Sequence, residues 1–281
     1  MFQTVIAPLA VALAVLAIVR LAFAERTILG GAAVAVGFLL GYALFEGVPP
    51  FPPPAGKQKI FYLVLIGGGL GLALDLARSP AALTRGALLV LPGAALAWLA
   101  WRQIMAGPEA LFWLHLALLW LGFAAVLWRL DQVARSPGGT VPAAVLLCVT
   151  AAGASGVAYL GASITMALLL AALAAPAGAL LAWSYGERIL NRDRHWFGAA
   201  ALLGGGGALV ALAAVLSLYT PQVSRTALVL LALVPFSSLL VERFSPGGEG
   251  VRRLGLPWLV AVAAAVTALV AVGAAYVART A

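Results

Sequence analysis

The stretch IFYLVLIGGGLGLALDLA, residues 60–77, holds one charge, Asp75, and three adjacent glycines, Gly67, Gly68 and Gly69, near its centre. As a helix rising 1.5 Å per residue it spans roughly 27 Å, close to the ~30 Å hydrocarbon core of a bilayer. An apolar run of this length reads as a membrane crossing. A second stretch, WFGAAALLGGGGALVALAA, residues 196–214, has the same size and carries Gly204, Gly205, Gly206 and Gly207. Each glycine weakens a helix by about 1 kcal/mol relative to alanine. Two such runs mark places where backbone itself forms the helix surface.

Outward from these stretches the chain keeps the same character. Of 281 residues, 64% are hydrophobic and only 9% charged, with a mean hydropathy of +1.09, where soluble domains carry roughly a quarter charged residues. Apolar runs and charged breaks predict spans near residues 3–19, 28–48, 60–77, 84–101, 109–128, 140–158, 162–185, 196–218, 226–241 and 257–277. No charge interrupts residues 136–186, so that segment must cross twice, turning near residues 158–163. The expected fold is all-α: a polytopic membrane protein of about ten transmembrane helices with no room for a soluble catalytic domain.

The basic residues set the expected topology. Arg20, Arg26, Arg78, Arg85, Arg129, Arg135, Arg188, Arg192, Arg194, Arg243, Arg252 and Arg253 fall on one face, and Lys57, Lys59, Arg102, Arg225 and Arg279 on the other. This asymmetry puts the richer face in the cytoplasm of a bacterial-type inner membrane, with both termini outside. The same scatter over short loops excludes a nucleic-acid groove, despite a net charge of +8. The first span ends near Ala22, Phe23 and Ala24, which superficially resembles a signal-peptide cleavage site. It lacks a basic n-region, and Arg20 follows the apolar run, so an uncleaved first span is expected. Cys148 sits in an apolar stretch as a small core residue. Trp98, Trp101, Trp113, Trp128, Trp183, Trp196 and Trp258 fall mostly near span ends and are expected to form an interfacial belt.

Sliding the second half by about 137 residues aligns the third span with the eighth through their glycine runs. Beyond them, LTRGALLVL from Leu83 matches VSRTALVLL from Val223, with Pro92 and Pro235 downstream. More faintly, Thr4, Val5 and Pro8 answer Thr140, Val141 and Pro142. Residues 1–135 and 136–281 are therefore expected to form two five-helix repeats within one membrane unit. Five is odd, so the second repeat enters the membrane inverted, an architecture of secondary transporters whose sites lie where interrupted helices of the two halves meet.

That junction supplies the candidate binding residues: Gly67, Gly68, Gly69, Gly204, Gly205, Gly206 and Gly207, with Asp75, His115, Ser237 and Ser238 as polar contributors. Close helix packing is the competing role of the glycines. Asp75 lies one turn from Arg78, a spacing for a local ion pair. His115, among Phe112, Trp113 and Trp120, is the ionisable side chain set deepest in a span, and a hydrogen bond to a neighbouring helix explains it as well as a functional role does. Glu46 closes the second span before PPFPPP, residues 49–54, which reads as a stiff external segment.

Two local resemblances follow from particular residues. GASGVAYLGAS, from Gly153, resembles the serine segment of rhomboid intramembrane proteases, which implies Ser155 as nucleophile, His195 as its partner and His115 as an oxyanion-hole histidine. Leu119 stands where that family has asparagine, and the expected spans separate Ser155 from His195 by roughly 20 Å of depth. PAGALLAWSYGERILNRDRHWFGAAALL, from Pro176, resembles a helix junction of drug/metabolite-transporter proteins, which implies a five-plus-five inverted architecture, although it falls at a different place in the chain.

No Walker loop, C-x-x-C, H-E-x-x-H or dinucleotide-binding glycine motif occurs, so neither a cofactor nor a metal is expected. The expected activity is transporter-like carriage of a small amphipathic or lipid-like solute, with membrane lipids as surroundings. A non-catalytic subunit or assembly factor among other membrane subunits is the alternative, and an intramembrane hydrolase comes third. The balance leans away from an enzyme, and the substrate is not specified by the sequence.

Overall fold

A computed structural model describes residues 2–23, 25–192, 194–244 and 249–280. Its elements are helical throughout, with no strand among the described residues. The chain enters through a π-helical turn, Phe2–Ile6, into α1 (Ala7–Ala22) and then, through a 3-10 turn at Thr27–Gly31, into α2 (Ala32–Glu46). There follow α3 (Gly56–Leu76), α4 (Ala81–Leu99), the short α5 (Trp101–Met105), α6 (Ala110–Arg135), α7 (Thr140–Leu160) and α8 (Ile164–Ile189). A π-helical segment, Ala201–Gly206, continues as α9 (Gly207–Tyr219), and α10 (Arg225–Ala232), α11 (Ser237–Phe244) and α12 (Glu249–Thr280) complete the chain.

Nine of these passages are long and apolar enough to cross a bilayer, so this is an all-α, multi-pass integral membrane protein. The expected ninth of ten spans differs from the rest. Arg225–Val241 is a shorter apolar segment, broken by the 3-10 turn Val234–Phe236 at Pro235, where proline removes a backbone donor and clashes with the preceding turn. It nevertheless leads from the level of Tyr219 to Ser238, which meets Arg129 near the other end of the bundle.

The two ends differ in charge. At one, Arg20 of α1 pairs with Glu187 of α8 at 3.2 Å, and Asp131 of α6 takes Arg135 at 2.7 Å and Arg85 of α4 at 3.6 Å. Arg188 donates to the Gly138 carbonyl in the α6–α7 loop. At the other end Lys57 pairs with Glu46 at 2.6 Å, and Tyr219 donates to the Leu99 carbonyl. The proline-rich segment after α2 is pinned there: Tyr62 donates to the Pro49 carbonyl at 2.7 Å and meets Phe51 edge-on.

The best-buried helices are α7, α8 and α9, while α3 and α6 leave much of their apolar surface outward for lipid. Trp196 departs from the interfacial belt. It is fully buried, packed edge-on against Trp183, and its ring fills the space that a side chain at Gly30 would occupy. Cys148 sits between α7 and α8, its Sγ directed at the Ala174 carbonyl.

Candidate functional site

The two glycine runs meet. α3 and the Ala201–Tyr219 passage lie side by side in opposite directions, since Gly56 lies beside Tyr219 at one end while Asp75 reaches Ala199 and Ala200 at the other. Between these ends a Cβ on Gly67 would stand 2.5 Å from the Leu203 carbonyl oxygen, and one on Gly71 equally close to that of Ala199. A Cβ on Gly204 would stand 2.7 Å from that of Ala35 and 3.1 Å from the Cα of Gly68. Backbone therefore packs on backbone, as small residues allow. The contact is close at Gly67, Gly68 and Gly204; Gly205 and Gly206 turn toward Val34 and Leu127 instead. Gly69 and Gly207 have open space where a side chain would go. The run from Ala201 to Gly206 is π-helical, a wide turn that recurs at functional positions in membrane and soluble helices alike.

Asp75 is not paired with Arg78. Its Oδ1 accepts from the Ala199 N–H and its Oδ2 from the Ala200 N–H, both at 2.9 Å. These amides open the helix that becomes α9, and the first amides of a helix have no partner within it. The carboxylate thus satisfies two of them and sits at the positive end of the helix dipole. Gly198 is required beside it, because a side chain there would collide with the Asp75 carboxylate and with Ile28.

Directly above this latch, at the arginine-rich end, opens a vestibule of about 230 Å³. Its polar wall includes Asp75, Arg78, Ser79, Asp131, Arg135 and His195, and Leu74, Phe197 and Leu202 form its apolar floor. His195 is held by its neighbours: its Nδ1 lies 3.3 Å from Thr140 Oγ1, and its carbonyl accepts from Thr27. Thr140 Oγ1 also accepts the Trp196 N–H, so this one hydroxyl ties His195 and Trp196 to the start of α7. Burial, then the nearby Arg135 guanidinium, lower the His195 pKa and keep the ring neutral. On the far side of Gly67 and Leu203 lies a second, apolar cavity of about 40 Å³, lined also by Pro92, Leu127 and Gly207.

The remaining expected site residues lie elsewhere. Ser237 donates to the Val234 carbonyl, and Ser238 donates to the Pro235 carbonyl while accepting from Arg129 at 2.8 Å. These hydroxyls satisfy the broken turn between α10 and α11. His115 sits toward the opposite end, its Nε2 3.3 Å from Ser217 Oγ on α9. Ser217 is ten residues past Gly207, roughly 15 Å along the helix, so His115 is not part of the glycine junction. Ser155 donates to the Ala167 carbonyl at 2.7 Å, and no hydrogen bond joins it to His195. Among the described residues no cluster of three His, Cys, Asp or Glu side chains could hold a metal ion.

Asp131 and Arg135 line the vestibule without having been expected there: Arg135 served only to orient a loop, and His195, expected only as a partner of Ser155, lines it instead. Set against known proteins, the chain matches no family model and no curated protein.

Proposed function

We propose that this integral membrane protein is a carrier for a small amphipathic or lipid-like solute, built as an inverted five-plus-five repeat around the α3–α9 crossing. The observation that carries the reading is the α3–α9 crossing itself, whose closely packed glycine backbone has a polar vestibule at Asp75 and a small apolar cavity at Gly67 and Leu203. Such an arrangement is what a carrier closed at its midplane would have, with the site at the interface of antiparallel interrupted helices. The opposed directions of α3 and α9 support the inverted repeat, as does the position of Arg85 beside Asp131 and of Arg225 after Tyr219, at opposite ends. Reporter tags in the loops at Arg78 and Arg225 should emerge on opposite sides, with the Arg78 side cytoplasmic and both termini outside.

Close packing of Gly67, Gly68 and Gly204 favours the second reading, a non-catalytic subunit of a larger membrane complex. Cysteine accessibility separates the two. In a Cys148→Ala background, Gly207→Cys faces open space; in a carrier it becomes reactive to a water-soluble thiol reagent in proteoliposomes supplied with transported solute. A rigid subunit leaves it unlabelled under every condition and shows no solute flux.

A further inference from the structure

We propose that the vestibule binds a small anionic amphiphile, a carboxylate or phosphate head engaged by Arg78 and Arg135 with a short single tail lying along Leu74, Phe197 and Leu202. This names the solute class of the proposed carrier and rests on that reading.

The donors and acceptors of the wall are unequal. Both oxygens of Asp75 are occupied by backbone amides, and both oxygens of Asp131 by arginines. No carboxylate oxygen among the described residues of the vestibule lacks a hydrogen-bond or ion-pair partner. On the opposite side, Arg78 forms no ion pair with a described residue, and Arg135 commits only its Nε to Asp131. Arginine presents a planar fork of donors suited to carboxylate and phosphate. Ser79 adds a hydroxyl and His195 an imidazole to the same wall.

Arg78 also holds its place against its own backbone preference. It adopts φ +50°, where it ends α3 and lets the Ser79 N–H donate to the Leu74 carbonyl. Glycine or asparagine ordinarily fills such a position. The head group is matched by charge; the tail is limited by room. A volume of about 230 Å³ is below the 300–1,000 Å³ of drug-sized pockets, which excludes a two-chain lipid and admits one short chain. The floor beneath is apolar and ends on the glycine crossing.

The test uses the full chain in phosphatidylcholine nanodiscs and titration calorimetry with octanoate, octyl phosphate, octanol and octyltrimethylammonium. The two anions should bind, and Arg78→Gln should weaken them at least tenfold, Arg78→Lys less, with octanol unaffected by either change. Arg78 is exposed and unpaired, so these variants should fold as the parent does, which thermal unfolding checks. Equal binding of octyltrimethylammonium and octanoate, or an unchanged affinity in Arg78→Gln, overturns the proposal. So does complete displacement of octanoate by phosphatidylglycerol placed in the disc, which would assign the site to a lipid head group. Flux in proteoliposomes keeps the two readings apart. Octanoate binding without flux removes the carrier and leaves the site; flux of octanol or the cation without anion binding does the reverse.

Discussion

Removing the Asp75 carboxylate should loosen the α3–α9 crossing more than any other single polar change in the chain. Asp75 accepts two amide hydrogen bonds of 2.9 Å from the first turn leading into α9. Hydrogen bonds to a charged group contribute about 1.5–3 kcal/mol each, and an orphaned buried amide costs about as much. The vestibule admits water on one side, so the lower part of that range applies, and Asp75→Ala should destabilise the protein by about 2–4 kcal/mol. Asp75→Asn keeps one acceptor oxygen and should lose about half as much. Gly198→Ala perturbs the same latch from the other side, because its methyl would occupy the space of the carboxylate. Reversible unfolding in mixed micelles by added dodecyl sulfate, followed by tryptophan fluorescence, measures all three variants and the Asp75→Ala/Gly198→Ala pair. With the carboxylate gone the Gly198 methyl loses its nearest clash, so the double variant should recover about 1–2 kcal/mol relative to additivity. Additive effects, or a loss below about 1 kcal/mol for Asp75→Ala, would refute the latch.

Gly67→Ala and Gly71→Ala, each meeting a carbonyl oxygen at 2.5 Å, should cost about 1–3 kcal/mol by overpacking, whereas Gly69→Ala and Gly207→Ala, with nothing within 4 Å, should be neutral or stabilise by up to about 1 kcal/mol; the same unfolding assay ranks them, and equal losses at all four positions contradict the packing described. His115→Ala and Ser217→Ala should each cost about 0.6–1.7 kcal/mol and be non-additive, as expected for an interhelical hydrogen bond within the membrane. The depressed pKa of His195 means that the unfolded chain binds the proton more readily than the folded one, so this residue's contribution is complete above the ordinary value of 6.5 and is lost as pH falls below it. Unfolding titrations between pH 7.5 and 5 should show a slope that is shallower in His195→Gln; an identical slope would show that His195 does not titrate differently on folding.

The fold was legible because its cause is local. Every backbone polar group in hydrocarbon must be satisfied within its own segment, so apolar runs of bilayer length become helices whatever their neighbours do. Residues 60–77 and 196–214 announce themselves in this way, and the structure forms helix over most of both, with Trp196, Phe197 and Gly198 left outside it. Boundaries were less visible. α6 runs on to Arg135, past the expected end at residue 128, because Asp131 can sit 3% exposed once Arg85 and Arg135 neutralise it. Arg135 is one turn away on the same helix, but Arg85 comes from α4, more than forty residues away, and no helical window contains both partners. The break at Pro235 was visible as a proline, but not that Ser237 and Ser238 would bond the Val234 and Pro235 carbonyls of the turn it makes.

Asp75 shows why the site was harder to read than the fold. Spacing within α3 offers Arg78 as its partner, and helical periodicity sees nothing else. The carboxylate instead crosses to the amides of Ala199 and Ala200, which have no side chain to mark them. Backbone donors at a helix start are invisible in a sequence unless the helix start itself is known, and here the expected eighth span began at residue 196, a few residues before the amides that Asp75 takes. Gly198 was the available signal, since glycine next to a helix start leaves room for an approaching carboxylate, but among 31 glycines it does not stand out. Once Asp75 is committed to backbone, Arg78 is released from the local pair, and a guanidinium open to the vestibule follows from that single rearrangement. The anion specificity proposed for the vestibule and the stability of the α3–α9 latch are therefore linked. Asp75→Asn, which leaves Arg78 and the cavity in place but removes a negative charge, should tighten octanoate binding even as it weakens the fold.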